Sequence, residues 1–208
     1  MDVIQQYNEF GELFCKTRIS VWKPVKDFID NGATPFTLLE VGSGSCQNLA
    51  YAKTKGFDCI GVDASTTMVK IGRNKGFNIQ EKNILNLQMD RKFDRILCIA
   101  VFHHLKTKGE RVLALQQLHG CLDKNGKLLL SVWSKEHFKP KQYDTVNENG
   151  DAQIAFTVHG VRYMRYYHLF SINEFEQLLQ ESEVSLTIEQ SIVDGANLYY
   201  TLIPSQQS

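Results

Sequence analysis

The sequence predicts an α/β fold in which helices cover both faces of a mostly parallel sheet. Between residues 36 and 133, short and almost continuously apolar runs alternate with helical patterns, as is typical of parallel strands buried on both sides. Near the C-terminus, two further apolar runs flank Asp194-Gly195, a pair typical of a hairpin turn. We therefore expect a parallel sheet that ends in an antiparallel hairpin.

The N-terminal region predicts two helices. Apolar residues recur at helical spacing from Val3 to Phe14, and a second such series follows Ser20, a candidate N-cap. Asn31-Gly32 is a stop signal for the second helix. We expect residues 1–32 to form a helical cap on the rest of the chain.

The central region predicts alternating strands and helices. Gly56 and Gly76 follow the first two helical patterns and are typical of C-terminal caps. The predicted strands span residues 36–41, 58–62, 77–81, 93–100 and 126–133. The predicted helices span residues 47–55, 65–75 and 107–121.

Residues 134–158 differ from the preceding alternation, because they are polar and have no steady period. A loop of this length inside a compact domain is usually functional or mobile. Together with the Arg/Tyr/His cluster that follows, it predicts a substrate-side insertion over residues 134–170. The last elements are a helix at 171–180 and strands at 185–193 and 197–203.

Composition limits the class of protein. The 208 residues suit a single domain spanning 1–208, and the 23 Lys plus Arg balance the 23 Asp plus Glu. Enzymes that act on nucleic acids are usually more basic, so that function would need a local basic patch or a partner protein. The five scattered cysteines include no Cys-x-x-Cys pair, which argues against a zinc site and for a reducing compartment. We expect no metal, no contact with membranes and a place in the cytoplasm, with the nucleus as a second location.

A glycine-rich turn follows the first predicted strand. In Glu40-Val41-Gly42-Ser43-Gly44-Ser45, small residues allow a ligand to approach the backbone, and amides at the next helix N-terminus can bind its polar groups. The glycines alone fit a tight strand–helix turn without a ligand equally well. A dinucleotide motif would carry a third glycine where this chain has Gln47, which weakens the pyrophosphate interpretation.

An acidic residue follows the second predicted strand. Asp63 comes about twenty positions after the glycines, where a carboxylate can accept hydrogen bonds from both hydroxyls of a ribose. The alternative role for Asp63 is an acid at a helix N-terminus. The turn and the acid together indicate a nucleoside-bearing cofactor without a pyrophosphate.

These features resemble the class I S-adenosylmethionine-dependent methyltransferases. The resemblance implies a Rossmann-like, seven-stranded sheet with a C-terminal antiparallel hairpin, and S-adenosyl-L-methionine as cofactor. Asn83 follows the third predicted strand, where the family more often has an Asp that contacts adenine. The cofactor-binding residues implied by the resemblance are Glu40, Gly42, Gly44, Asp63, Asn83 and Ala100.

A closer resemblance is to the eukaryotic tRNA wobble-uridine carboxymethyl methyltransferases, both the stand-alone yeast-type enzyme and the methyltransferase domain of the AlkB homologue. It implies formation of the methyl ester of 5-carboxymethyluridine in the tRNA anticodon loop. It also implies a heterodimer with a small zinc-binding methyltransferase activator protein. The segments that carry it are Tyr7-Asn8, Phe14-Cys15-Lys16-Thr17-Arg18, Trp22-Lys23-Pro24-Val25, Ile99-Ala100-Val101-Phe102-His103-His104-Leu105 and Arg165-Tyr166-Tyr167-His168-Leu169-Phe170.

A carboxylate acceptor determines which side chains the reaction needs. It is already ionised at neutral pH, so catalysis requires alignment and a grip on the anion rather than a general base. The planar fork of arginine suits that grip, which makes Arg18 and Arg165 the leading candidates, with surface salt bridges as their alternative role. Of His103 and His104, one is expected to contact substrate and the other to be structural, with His104 preferred.

Further residues are candidates for contact with the nucleic acid. Tyr166 and His168 can stack on a splayed base, although core packing is expected for one of the two adjacent tyrosines. Lys139 lies in the polar segment and can contact phosphate. Trp22 could line the pocket, but it lies on an apolar helix face and is therefore expected in the core.

Two other functions fit parts of the sequence. A small-molecule carboxyl or O-methyltransferase of the same fold would explain the zero net charge. A non-catalytic methyltransferase-like binding protein would explain Ser43, Ser45 and Asn83. Such a protein would show no thermal shift with S-adenosylmethionine, whereas a ligand that binds the native state stabilises it.

Overall fold

The computed structural model describes residues 2–31 and 36–205, and within them the chain folds around one large sheet. Its seven strands are β1 (Thr37–Val41), β2 (Asp58–Asp63), β3 (Ile79–Glu81), β4 (Phe93–Cys98), β5 (Leu122–Trp133), β9 (Leu186–Asp194) and β10 (Asn197–Pro204). They lie in the order β3-β2-β1-β4-β5-β10-β9, parallel from β3 to β5 and antiparallel in the final hairpin. This confirms the predicted sheet and its C-terminal hairpin.

Helices cover both faces of the sheet, as expected from the almost continuously apolar sequences of its parallel strands. Neighbouring strand residues such as Leu38 and Leu39 point to opposite faces and belong to two separate apolar clusters. Each buried leucine contributes about 1.5–3 kcal/mol through removal from water. The helices are α1 (Val3–Lys16), α2 (Lys23–Asp30), α3 (Gln47–Thr54), α4 (Thr66–Asn74), α5 (Lys108–Cys121) and α6 (Glu174–Glu181). None of them, in the described part of the chain, has the length and apolarity that a membrane crossing requires.

Some element boundaries differ from the prediction. Helix α2 has Trp22 rather than Ser20 as its N-cap, because Pro24 in the first turn favours a start at that point. Gly32, the second half of the predicted stop signal, lies outside the described residues. In the C-terminal hairpin, Asp194 pairs with Asn197, so the turn residues are one position later than predicted.

The predicted aperiodic loop is wrong for the second half of its range, because residues 145–168 form a three-stranded antiparallel sheet. Its strands are β6 (Thr145–Val146), β7 (Asp151–Val158) and β8 (Val161–His168). Strands β7 and β8 pair over their whole length around a turn at His159-Gly160, where both residues have positive φ (47° and 77°). The sequence of β8 lacks the alternation of apolar and polar residues by which a strand is usually predicted. The face that it turns to the rest of the protein carries tyrosine and arginine instead.

Candidate active site

A cavity of about 480 Å³ lies at the carboxyl ends of the parallel strands and has the size of a small-molecule site. It lies outside β1, whose two neighbours, β2 and β4, continue the sheet in opposite directions. Ligands of open α/β sheets bind at such a switch point. The loops after the parallel strands form its floor, and α1 and β8 contribute its other walls.

The glycine turn after β1 is held by main-chain contacts. The amides of Gly42 and Ser43 donate to the carbonyl of Val62 at 2.8 and 3.0 Å, which ties the turn to the end of β2. Gly42 has φ of +74°, and a Cβ there would lie 2.1 Å from Cγ2 of Val101. At Gly44 the nearest atom to such a Cβ is 3.9 Å away, so the backbone leaves room for a ligand. The turn therefore provides the close approach that a nucleoside cofactor requires.

Asp63 lines the cavity at the end of β2. Its Oδ2 accepts a hydrogen bond from the amide of Gly44 at 2.9 Å, and its Oδ1 accepts one from the amide of Ser65 at 2.9 Å. Burial raises the pKa of this carboxyl, and these amides oppose the shift. Since a carboxylate accepts about four hydrogen bonds, Asp63 keeps capacity for two hydroxyls of a ligand.

Glu40 supplies a buried acid at the floor of the cavity. Its Oε1 accepts from the side-chain amide of Asn48 at 2.7 Å, whereas Oε2 has no partner among residues 2–31 and 36–205. Burial raises the pKa of Glu40 to about 8. A cationic ligand beside this oxygen would ionise the group, which fits a cofactor that carries positive charge.

Asn83 and Ala100 also line the cavity. Asn83 uses its side-chain oxygen to accept from the amide of Leu85 at 2.9 Å, which leaves the nitrogen of the side chain for an adenine edge. Ala100 has φ of +58°, and its amide donates to the buried hydroxyl of Ser131 at 2.9 Å. A non-glycine residue in this conformation stores strain of about 1 kcal/mol or more, a common feature of ligand sites.

The other end of the cavity is built from rings. Tyr167 stacks on Trp133 with 4.5 Å between ring centroids and on His103 with 4.6 Å between ring centroids. Tyr7 and Phe14 enter from α1 and contact each other edge to face. Trp133 stacks on Phe138 as well as on Tyr167, so these rings cover one another's faces and together form an aromatic wall at this end of the cavity.

Both predicted histidines line this end of the cavity. Burial lowers the pKa of His104 to about 4, and its Nδ1 lies 2.8 Å from the carbonyl of Tyr166, which it can meet only as a donor. Burial also holds the pKa of His103 well below its ordinary value, and neither of its ring nitrogens has a partner in the described part of the chain. Both imidazoles are therefore neutral at pH 7 and neither carries the charge that would grip an anion.

The two predicted arginines occupy different positions. Arg18 lines the cavity and is partly exposed, with its guanidinium 4.5 Å from the ring centroid of Phe14. Arg165 is 4% exposed and lies behind the cavity wall, where its Nη1 donates to the hydroxyl of Tyr7 at 3.2 Å. No carboxylate forms an ion pair with either arginine among the described residues.

Three predicted substrate-binding residues lie outside the cavity lining. Tyr166 donates to Oδ1 of Asp151 at 2.6 Å, and His168 lies between Asp151 and Glu174. Lys139 is exposed on the segment before β6. Because strand side chains alternate, β8 turns Arg165 and Tyr167 towards the site and turns Tyr166 and His168 away from it.

Several lining residues were not predicted as site residues. Only the family resemblance pointed to Tyr7. Nothing in the sequence indicated that Tyr167, rather than Tyr166, would line the cavity. Trp22 packs against the core, as expected, and edge-on against Tyr199, and it also lines the cavity. Trp133, the last residue of β5, could have been suspected from its place at a strand's carboxyl end.

Comparisons with known proteins agree with this geometry. A family model described as a methyltransferase domain matches residues 11–187. The tRNA (carboxymethyluridine(34)-5-O)-methyltransferase of Schizosaccharomyces pombe is 25% identical over 205 residues, covering 88% of this chain and 89% of that protein. The tRNA (carboxymethyluridine(34)-5-O)-methyltransferase alkbh8 of Xenopus tropicalis is 30% identical over 149 residues, and the match spans 71% of this chain but 23% of the frog protein.

A crystal structure of an S-adenosylmethionine-dependent methyltransferase from Clostridium acetobutylicum has the same fold, with a TM-score of 0.73, 16% identity, and coverage of 96% of this chain and 99% of that one. The family model covers most of the chain, including the glycine turn and Asp63. This chain therefore belongs to the methyltransferase domain family and is an S-adenosylmethionine-dependent methyltransferase.

Proposed function

We propose that this enzyme methylates the carboxylate of 5-carboxymethyluridine at the wobble position of a tRNA anticodon, forming the methyl ester. One observation carries the proposal. The acceptor end of the cavity combines an aromatic wall, to which Trp133, Tyr167 and His103 contribute, with the positive charge of Arg18, which has no paired carboxylate among the described residues. A planar base that carries an anionic substituent fits both features. The fission yeast relative, which has this activity in its name, matches over nearly its whole length.

The cofactor end supports binding of S-adenosylmethionine through groups of this chain. Asp63 would accept hydrogen bonds from the ribose hydroxyls, and the turn at Gly42 and Gly44 would follow the nucleoside closely. Glu40 would face the positive part of the cofactor, and Asn83 and Ala100 would contact the adenine. When bound, the cofactor supplies a methyl group on a positively charged sulfur, which departs as a neutral thioether.

The acceptor end supports the choice of a carboxylate. A free carboxyl titrates near about 4, so the acceptor arrives ionised and needs no general base. Arg18 would hold one carboxylate oxygen and leave the other to attack the methyl carbon. The aromatic wall would limit how the base can lie in the cavity and therefore the direction of attack.

The proposal also includes two macromolecular partners, the tRNA and an activator protein. The zero net charge leaves little general attraction for tRNA, so a local contact such as Lys139 or a second protein would have to supply it. The small zinc-binding activator protein that the resemblance implies would meet that need. Action on the tRNA anticodon loop fits a place in the cytoplasm, with the nucleus as a second location.

The experiment is mass spectrometry of wobble nucleosides from source cells that lack the gene. We expect the methyl ester to disappear and 5-carboxymethyluridine to accumulate. A wild-type copy should restore the ester, and a copy with Asp63→Ala should not, because losing charge-assisted hydrogen bonds to the ribose costs about 1.5–3 kcal/mol. An unchanged level of the tRNA ester would refute the proposal, and loss of a small-molecule methyl ester instead would support the alternative substrate class.

A further inference from the structure

Tyr7 connects the acceptor end of the cavity to a buried positive charge. Its side chain lines the cavity, and its hydroxyl accepts a hydrogen bond from Nη1 of Arg165 at 3.2 Å. Arg165 itself lies outside the cavity lining, and Tyr7 is a lining residue to which it donates a hydrogen bond.

The ring of Tyr7 is held in place from several sides. Phe10 and Phe14 contact it edge to face, each with 5.1 Å between ring centroids, and the centroid of His104 lies 6.0 Å away. The next residue, Asn8, fixes the helix because its Oδ1 accepts from the hydroxyl of Ser65 at 2.7 Å. The hydroxyl of Tyr7 is therefore a preorganised group rather than a mobile surface one.

Arg165 makes this hydroxyl a strong donor. Its guanidinium lies 5.1 Å from the ring centroid of Phe156 and 5.2 Å from that of Tyr167, and no carboxylate pairs with it among the described residues. An arginine remains charged under these conditions. A hydroxyl that accepts from a cation keeps its own proton for another acceptor and becomes a better donor.

We propose that Tyr7 donates this hydrogen bond to the acceptor carboxylate, and that Arg165 acts as a positioning residue through Tyr7. The inference rests on the proposed function and adds a second contact to the one assigned to Arg18. It makes the site selective for a carboxylate over the neutral amide of the same shape, because the amide gains less from a cation-assisted donor.

The test compares Tyr7→Phe with the wild-type enzyme, purified from its source so that any bound partner is retained. We measure methyl transfer to tRNA bearing 5-carboxymethyluridine, and competition by tRNA bearing the carbamoylmethyl analogue. Tyr7→Phe should lower kcat about 10- to 100-fold and reduce the preference for carboxylate over amide, while KM for S-adenosylmethionine stays constant. Tyr163→Phe is the matched control, because Tyr163 also packs on Phe10 but does not line the cavity.

Two further variants complete a double-mutant cycle: Arg165→Lys alone, and Arg165→Lys combined with Tyr7→Phe. If Arg165 acts through Tyr7, the double variant should be within about twofold of Tyr7→Phe alone. Full activity of Tyr7→Phe, or additive losses in the double variant, would overturn the inference and leave the proposed function standing. A wild-type enzyme that leaves this tRNA unmethylated would overturn both.

Discussion

The two ends of the cavity are built in different ways. The cofactor end is made by main-chain groups over short stretches of sequence, such as the Gly42 turn and the amides that bind Asp63. The acceptor end is made by side chains that α1, β5, β8 and the segment after β4 bring from distant parts of the chain. Local sequence motifs can therefore identify the cofactor end, whereas the acceptor end forms only when the tertiary structure brings distant residues together.

If the cofactor end depends on its backbone, one added methyl group there should have the largest effect. Gly42→Ala should destabilise the fold by about 1–2 kcal/mol from its positive φ and by a further 1–3 kcal/mol or so from the clash with Val101. Gly76→Ala is the control, because it has φ of +79° but no atom within 4 Å of the new Cβ. Urea denaturation measures both variants, and equal losses would mean that the tight turn contributes nothing of its own.

If the acceptor end depends on side-chain geometry, a change that keeps the charge should still damage catalysis. Arg18→Lys should lower the methyl-transfer rate on carboxymethyluridine tRNA by about 10²-fold, because an ammonium cannot hold a planar anion in one orientation. The affinity for S-adenosylmethionine, measured by calorimetry, should not change. Arg91→Lys is the control, since Arg91 forms an exposed ion pair with Asp58 at 2.7 Å. A normal rate in Arg18→Lys would remove Arg18 from the site.

The smallest effect expected is a pH dependence of the cofactor end. Because the pKa of Glu40 rises from 4.5 to about 8 on folding, the ligand-free protein holds a proton there that the unfolded chain releases. Its stability should therefore fall as pH rises from 4.5 to 8, and cofactor affinity should rise by about tenfold between pH 7 and the plateau above pH 8. Glu40→Gln should abolish both trends, as followed by denaturation and calorimetry across pH. Trends that persist unchanged in this variant would assign them to another group.

The parts of the structure that the sequence predicts are those with local physical causes. The strand–helix alternation, the glycine turn and the spaced Asp63 each follow from residues close together in the chain. Strands β7 and β8 escaped prediction because β8 packs tyrosine and arginine where a strand usually shows an apolar face. The choice between Tyr166 and Tyr167 depends on the direction that each residue faces in β8, and a shift of one residue would reverse it.

The positions of Arg165 and His103 could not be predicted from the sequence for the same reason. A sequence shows that an arginine is present, but not that it lies behind a tyrosine from α1 at 3.2 Å. The two adjacent histidines likewise differ only through their neighbours, because one meets the carbonyl of Tyr166 and the other stacks on Tyr167. Such distinctions require contacts between residues more than sixty positions apart, as the separation of 62 between His104 and Tyr166 illustrates.

Both tryptophans of this protein line the cavity. Trp133 is sandwiched with Phe138 and Tyr167, and Trp22 meets Tyr199 edge-on. The indole fluorescence of the enzyme therefore originates at its active site, without a background from indoles elsewhere. Ligands that change the surroundings of these indoles can be titrated optically on the unlabelled protein, and Trp22→Phe would leave Trp133 as the single indole, at the acceptor end.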